Sequence, residues 1–143
     1  MTDSVVFDCS SVAALILDEA SCTREVTEAV EAILRGKARG FAPELLVYEF
    51  SNVLSSAQRR GRIAGSDIEE AVALFCRLPI ALDPAPKDLS ADIVRIASAT
   101  GLSACDAAYC ELALRLNAAL VTVDKKLASC ALSSGINLRQ SGT

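Results

Sequence analysis

The sequence predicts a single α/β domain built around a mostly parallel sheet. Short apolar runs of strand length alternate along the chain with longer stretches at helical spacing, as in strand–helix–strand units. The 143 residues are enough for one well-packed domain and too few for two of ordinary size. No repeat, low-complexity segment or linker interrupts the pattern. We therefore expect one domain over residues 1–143.

The first half of the chain is expected to form two strands and four helices. Small polar residues that can cap free N–H groups mark the helix starts, and Pro43 suits a first helical turn. The expected elements are a strand over Ser4–Asp8, a short helix capped by Ser10 or Ser11, a helix from Ser21 or Thr23 to about Lys37, a strand stub at Phe41–Ala42, a helix from Pro43 to about Arg60, and a helix that starts at the capping box Ser66–Glu69 and ends before Pro79.

The second half contains the stretch around which the chain is organised, from Leu102 to Leu127. It predicts a helix, a tight turn and a short buried strand that ends on an acid. The remaining expected elements flank it: a strand over Ile80–Leu82, a helix over Leu89–Thr100, a last helix over Lys125–Ser133 and a last strand over Ile136–Leu138.

Four acidic residues are expected to meet at one edge of this sheet. Asp8 and Asp124 each follow a predicted strand, where open parallel sheets place their ligand sites. Asp106 lies in the first turn of a helix that leads into a strand, and such a helix begins at the edge where the strand ends. Glu49 lies in the second turn of the Pro43–Arg60 helix, with its side chain tilted toward the helix start. The sequence therefore predicts a convergent acidic site.

Each acid also has a structural interpretation. Asp106 completes a capping-box-like Ser103-x-x-Asp106 start, Asp124 can cap the last helix, and Asp8 can be an ordinary acid between a strand and a loop. Glu49 is harder to explain in this way, because its neighbours are apolar and an unpaired buried acid is costly. Four such coincidences together favour a functional cluster.

The composition excludes several classes of protein. The chain has no histidine, which rules out Ser-His-Asp and Cys-His catalysis and any His-ligated metal. The six cysteines show no C-x-x-C spacing and are expected to be reduced. A net charge of −4 argues against general nucleic-acid binding without a local cationic device. No apolar run approaches the ~18 residues of a membrane span, and the start lacks signal-peptide features, so we expect a cytoplasmic protein without a membrane partner.

An acidic cluster without histidine or cysteine ligands suits a hard cation, Mg²⁺ or Mn²⁺. Clustered carboxylates repel one another and raise each other's pKa unless a cation holds them. A bound Mg²⁺ can activate a water and stabilise charge on a phosphoryl oxygen. The cluster therefore points to phosphodiester hydrolysis.

The contexts of the four acids resemble the acidic quartet of PIN-domain nucleases, and most closely VapC-type ribonuclease toxins of toxin–antitoxin pairs. The motifs are VVFDCSSV around Asp8, APELLVYEFSNVL around Glu49, LSACDAAYCELALRL around Asp106 and ALVTVDKKL around Asp124. The resemblance implies a three-layer PIN-like domain, Mg²⁺ or Mn²⁺ on the four acids, and supporting roles for Ser10, Asn52 and Thr122. It further implies an RNA substrate, a cognate VapB-like antitoxin and a homodimer.

Other assignments remain open at this stage. Lys125 and Lys126 are candidate RNA contacts, as are Arg59 and Arg60, although a solvated helix end explains the arginines equally simply. A non-catalytic metal-binding interaction module of PIN-like fold is one alternative function. A haloacid-dehalogenase-like phosphohydrolase is another, but that family expects a second Asp two residues after the first, where this chain has Ser10. An antitoxin helix is expected between the Thr23–Lys37 and Pro43–Arg60 helices, with a basic residue near the acids.

Overall fold

The computed structural model describes residues 3–18 and 20–141. Four strands in these ranges form one parallel sheet in the order β3-β2-β1-β4. They are β1 (Asp3–Phe7), β2 (Ala38–Pro43), β3 (Ile80–Asp83) and β4 (Ala119–Val121). The helices are α1 (Cys9–Leu17), α2 (Arg24–Leu34), α3 (Leu45–Arg59), α4 (Gly65–Arg77), α5 (Leu89–Thr100), α6 (Ala104–Leu116) and α7 (Lys125–Ser133). The predicted α/β class is confirmed.

The central strand β1 separates two hydrophobic cores. Because side chains alternate along a strand, Val5 and Phe7 pack with the α1–α4 side, whereas Val6 packs with α6 and α7 on the other side. All three side chains are almost completely buried. Helices therefore cover both faces of the sheet, which gives the expected three layers. No helix in the described ranges is long and apolar enough to cross a membrane.

Two predicted helix caps are wrong. Neither Ser10 nor Ser11 caps α1; the cap is Asp8, whose Oδ1 accepts a hydrogen bond from the Ser11 N–H at 2.9 Å. The predicted cap of α4, Ser66, is also wrong, because this helix begins at Gly65. There the Asp67 carboxylate accepts from the main-chain N–H of Ala64 at 3.4 Å. In both cases an aspartate side chain accepts a main-chain N–H at a helix start for which the sequence pattern predicted a serine cap.

Strand boundaries also differ from the sequence prediction. β2 runs from Ala38, well before the predicted stub, and includes Pro43, so α3 starts two residues later than expected. Gly40 makes this longer strand possible, because a Cβ there would lie 3.2 Å from both Ile33 Cδ1 and the Pro79 carbonyl oxygen. At the other edge, the predicted last strand reduces to a single parallel bridge between Leu120 and Leu138.

Candidate active site

Asp8 lies at the carboxyl end of β1 and is only 2% exposed. Besides capping α1 through Oδ1, its Oδ2 accepts from the Ser10 hydroxyl at 2.8 Å and from the Thr122 hydroxyl at 2.5 Å. Burial raises the pKa of Asp8, and the hydrogen bonds from Thr122, Ser11 and Ser10 oppose that rise. The carboxylate is therefore held in one orientation by three donors, although burial makes its charge costly.

The same two hydroxyls fix the loop that follows β4. The Ser10 Oγ accepts from the main-chain N–H of Val123 at 3.1 Å, and the Thr122 Oγ1 accepts from that of Asp124 at 3.0 Å. Each hydroxyl has one proton and gives it to Asp8. Ser10 and Thr122, predicted as supporting residues, thus connect the start of α1 with the loop after β4, across more than 110 positions of sequence.

The main chain of Asp124 is bonded to Thr122, and its carboxylate caps α7. It is the N-cap of that helix, and Oδ1 accepts from the Leu127 N–H at 3.1 Å. The structural interpretation of Asp124 is therefore correct. The residue remains partly exposed next to the Asp8 network, so capping the helix does not remove it from the site edge.

Glu49 is anchored by a residue to which the sequence analysis gave no role. The hydroxyl of Tyr109, on α6, donates to Glu49 Oε1, on α3, at 2.6 Å. Tyr109 is 1% exposed. Burial and the neighbouring Glu49 raise the pKa of Tyr109, so the phenol keeps its proton and acts as a donor. One oxygen of Glu49 is thereby fixed from inside the domain.

Three of the four acids are electrostatically coupled. Burial raises the pKa of Glu49, the Tyr109 hydrogen bond opposes the rise, and the negative charges of Asp106 and Asp8 add to it. Asp106 and Asp8 therefore lie close enough to Glu49 to disfavour its ionised form. The convergence of all four acids at one edge stays a prediction, and a cation between them would relieve the repulsion that raises the pKa of Glu49.

Asp106 lies in the first turn of α6, as expected. Its main-chain N–H donates to the Ser103 Oγ at 3.1 Å, so Ser103 is the cap. Within the described residues, the reciprocal bond of a full capping box, from the Ser103 N–H to the Asp106 carboxylate, is not formed. The Asp106 carboxylate is therefore available for another role.

Cys9, between the acids, is not a nucleophile. Burial, together with the charges of Glu49 and Asp8, raises the pKa of its thiol to about 12. Since the thiolate is the reactive form, Cys9 stays protonated and inert at neutral pH. The chemistry of this edge belongs to carboxylate and hydroxyl oxygens.

The acids do not form a ready-made coordination shell. Across residues 3–18 and 20–141, no three Asp, Glu, Cys or His side chains are arranged so that they hold a metal ion as they stand. The donor chemistry nevertheless fits a hard cation, because the four acids and the hydroxyls of Ser10 and Thr122 all offer oxygen. A cation there would have to compete with Ser10 and Thr122 for Asp8 Oδ2.

The other candidate residues lie on the surface. Asn52 is exposed one turn after Glu49. Arg59 donates to two serine hydroxyls one turn earlier in α3, which fits the interpretation of a helix end, and Arg60 is exposed. Lys125 is exposed next to Asp124, and Lys126 Nζ reaches the Gly101 carbonyl at 3.5 Å. Of the four basic candidates, only the two lysines directly follow an acid of the predicted site in sequence.

The fold and site define an α/β protein with coupled acids at the carboxyl edge of a parallel sheet. The family model described as PIN domain matches residues 5–132, and the chain belongs to this family. PIN domains are generally nucleases and generally use divalent metals. The match favours a nuclease over the phosphohydrolase alternative.

Two solved structures share the fold at low sequence identity. The chain is 22% identical to PAE2754 from Pyrobaculum aerophilum, with a TM-score of 0.61 and coverage of 91% of this chain and 87% of that one. It is 11% identical to FitAcB from Neisseria gonorrhoeae, with a TM-score of 0.64 and coverage of 96% and 97%. A comparison with curated protein sequences finds no significant match.

Proposed function

We propose that this PIN-domain protein is a Mg²⁺- or Mn²⁺-dependent endoribonuclease that acts as the toxin of a toxin–antitoxin pair. The observation that carries the catalytic part is a set of placements: Asp8 directly follows β1, and the Tyr109 bond joins Glu49 to α6, whose first turn contains Asp106. The negative charges of Asp106 and Asp8 also raise the pKa of Glu49. Structural ion pairs do not account for it, because none of the ion pairs found in the described residues includes these three acids. The expected homodimer and the cytoplasmic location belong to the same proposal.

Asp8, Glu49, Asp106 and Asp124 are the residues that would hold the cation. When bound, Mg²⁺ or Mn²⁺ supplies an activated water and stabilises charge on the phosphoryl oxygen. The chain itself supplies orientation: the hydroxyls of Ser10 and Thr122 fix Asp8. It also supplies a local attraction for a polyanion, since a bound cation offsets the chain's net charge of −4.

Purified protein incubated with single-stranded RNA is expected to cleave it internally only when Mg²⁺ or Mn²⁺ is present. EDTA should stop cleavage, and restored metal should recover it, because the acids cannot activate water without the cation. Products resolved on a denaturing gel give the measurement. Cleavage that continues unchanged in EDTA would contradict the metal dependence.

The same experiment distinguishes the proposed nuclease from the alternative function, a non-catalytic metal-binding module. A non-catalytic metal-binding module would show a metal-induced rise in melting temperature and no cleavage. Intact oligonucleotide together with metal stabilisation would therefore replace the nuclease proposal with the interaction module. If the protein shows no metal stabilisation and no cleavage, both proposals for the acidic cluster are wrong.

An apolar surface of this chain, formed in part by α3, is the proposed docking site for the antitoxin. A cavity of about 350 Å³ lies between α3, α4 and β3, and α2 does not line it, so we place the docking surface here and not between α2 and α3. Val47, Val72 and Leu82 line it with exposed fractions of 38%, 42% and 42%. An amphipathic helix can bury these side chains while a basic residue reaches the acids.

Val72→Glu is expected to prevent co-purification with the antitoxin while RNA cleavage by the isolated toxin is retained. A charge in the middle of the cavity would be buried unpaired by an apolar partner, whereas Val72 makes no part of the acidic cluster. Val94→Glu is the matched control, since Val94 is an exposed valine on α5 that does not line this cavity. Equal capture of both variants by a tagged antitoxin would place the partner elsewhere.

A further inference from the structure

A second, polar cavity adjoins the acidic edge on the side of β4 that does not pair with β1. It has a volume of about 200 Å³, and its polar side chains come from Thr23, Glu25, Thr122, Arg139 and Gln140. Thr122 is shared with the acid site, because the same hydroxyl donates to Asp8 Oδ2 at 2.5 Å. A molecule in this cavity therefore lies one side chain away from the candidate catalytic carboxylates.

The main chain holds the C-terminal wall of the cavity in place. The N–H of Arg139 donates to the Leu120 carbonyl at 2.8 Å, and the Leu120 N–H donates to the Asn137 carbonyl at 2.9 Å. These bonds place the segment from 137 to 140 alongside β4. The wall is thus attached to the sheet and does not depend on the side chains that face the cavity.

Arg139 is the cation of this cavity. Its Nη1 reaches only a main-chain carbonyl, that of Gln140 at 3.3 Å. Glu25 lines the same cavity, yet the ion pairs found among the described residues do not include one between Glu25 and Arg139. Because a guanidinium has five N–H donors, most of them remain for a ligand. Because the chain is acidic, a cation beside the site provides the local positive charge that attracts a polyanion.

We propose that this cavity is a nucleotide subsite for the RNA substrate, in which Arg139 binds a phosphate next to the one that is cleaved. Its volume is below the ~300–1,000 Å³ of pockets for whole small-molecule ligands, which suits one unit of a longer strand. Glu25 offers an acceptor and Gln140 both a donor and an acceptor, the groups that read the edge of an unpaired base. This inference rests on the proposed ribonuclease function.

The test measures RNA binding without cleavage. A fluorescein-labelled pool of short single-stranded RNA of random sequence is titrated with Asp106→Asn protein over a series of KCl concentrations. Adding Arg139→Gln is expected to weaken binding about tenfold, as for one lost charge-assisted contact. It should also make the slope of log affinity against log salt shallower by about 0.7, the value of one phosphate contact on a single strand.

Two further variants make the result specific. Arg139→Lys retains the charge and should restore most of the salt slope. Arg35→Gln removes an exposed arginine that follows the far end of α2 and should leave affinity and slope unchanged. If Arg139→Gln and Arg35→Gln behave alike, the subsite is wrong while the ribonuclease proposal stands. If the parent protein binds no RNA at all, both proposals fail.

Base reading is tested with the same protein and four homopolymeric RNAs. Gln140→Ala is expected to reduce the spread of affinities among the four sequences while the salt slope stays unchanged, because an amide carries no charge. An unchanged spread would overturn the assignment of base reading to this cavity. Circular dichroism of each variant verifies that the fold is retained.

Discussion

Replacing Asp106 with asparagine is expected to lower RNA cleavage by a factor of about a hundred to a thousand or more, the range for losing a preorganised electrostatic group, while the domain stays folded. The main-chain N–H of Asp106 keeps its bond to Ser103 in the variant. Burial and the charges of Asp106 and Asp8 raise the pKa of Glu49, so the folded state disfavours ionised Glu49. Removing one neighbouring charge should leave stability unchanged or slightly higher.

Asp106→Asn is measured by cleavage rate and by urea unfolding, each with and without Mg²⁺. Wild-type protein should gain stability from the cation, as any ligand that binds only the native state confers, and the variant should lose that gain. Asp88→Asn is the matched control, since Asp88 is exposed before α5 and its side chain makes no cap bond. A destabilised Asp106→Asn protein that still cleaves RNA would support the structural role of Asp106.

The fold was predictable because the spacing of apolar residues differs between strands and helices, and each long segment of this chain shows only one of the two spacings. The helix Leu89–Thr100, which ends at the left-handed Gly101, was predicted at its observed bounds. The helix caps of α1 and α4 were missed for a local reason, because an aspartate three residues away accepts a main-chain N–H. The start of β2 was missed because contacts between different elements decide it. The early start of β2 depends on Gly40 fitting between Ile33 and the Pro79 carbonyl, a fit that no local pattern reveals.

The site was predictable to the extent that topology alone sets it. Strand ends and helix starts share an edge, and from this rule the sequence predicts that Asp8, Glu49 and Asp106 lie together. Hydrogen bonds that cross the sheet could not be derived in this way. Thr122 reaches Asp8 across 114 positions and Tyr109 reaches Glu49 across 60, so the partners of each acid depend on tertiary packing.

The arrangement of hydrogen bonds explains why the acids coexist without a ready-made coordination shell. Donors fix individual carboxylates: serine and threonine hydroxyls at Asp8, the Leu127 N–H at Asp124 and a phenol at Glu49. Each bond orients one oxygen and offsets part of the cost of burying a charge. Such partners commonly decide how well a ligand side chain presents itself to a cation. Glu49 is the clearest example of a carboxylate held by such a partner, because its donor, Tyr109, lies on another helix.

Tyr109→Phe is expected to reduce cleavage by about 10–100-fold, the usual effect of losing a group that orients a metal ligand. The ring of Tyr109 is buried and stays in place, so only the 2.6 Å bond to Glu49 Oε1 is removed. Glu49 then loses the donor that fixes its Oε1. The loss should appear in kcat and in the Mg²⁺ concentration for half-maximal rate, while KM for RNA changes little, because Tyr109 itself does not touch the substrate.

Tyr48→Phe is the matched control for this variant. Tyr48 precedes Glu49 on α3, but it is 75% exposed and takes no part in the bond between Tyr109 and Glu49. Its removal should leave kcat and metal dependence unchanged. Tyr109→Phe protein with an unaltered Mg²⁺ requirement but a lower melting temperature would show that the phenol serves packing alone. A tenfold or larger rise in the Mg²⁺ requirement, with KM preserved, would establish Tyr109 as the positioning residue of Glu49.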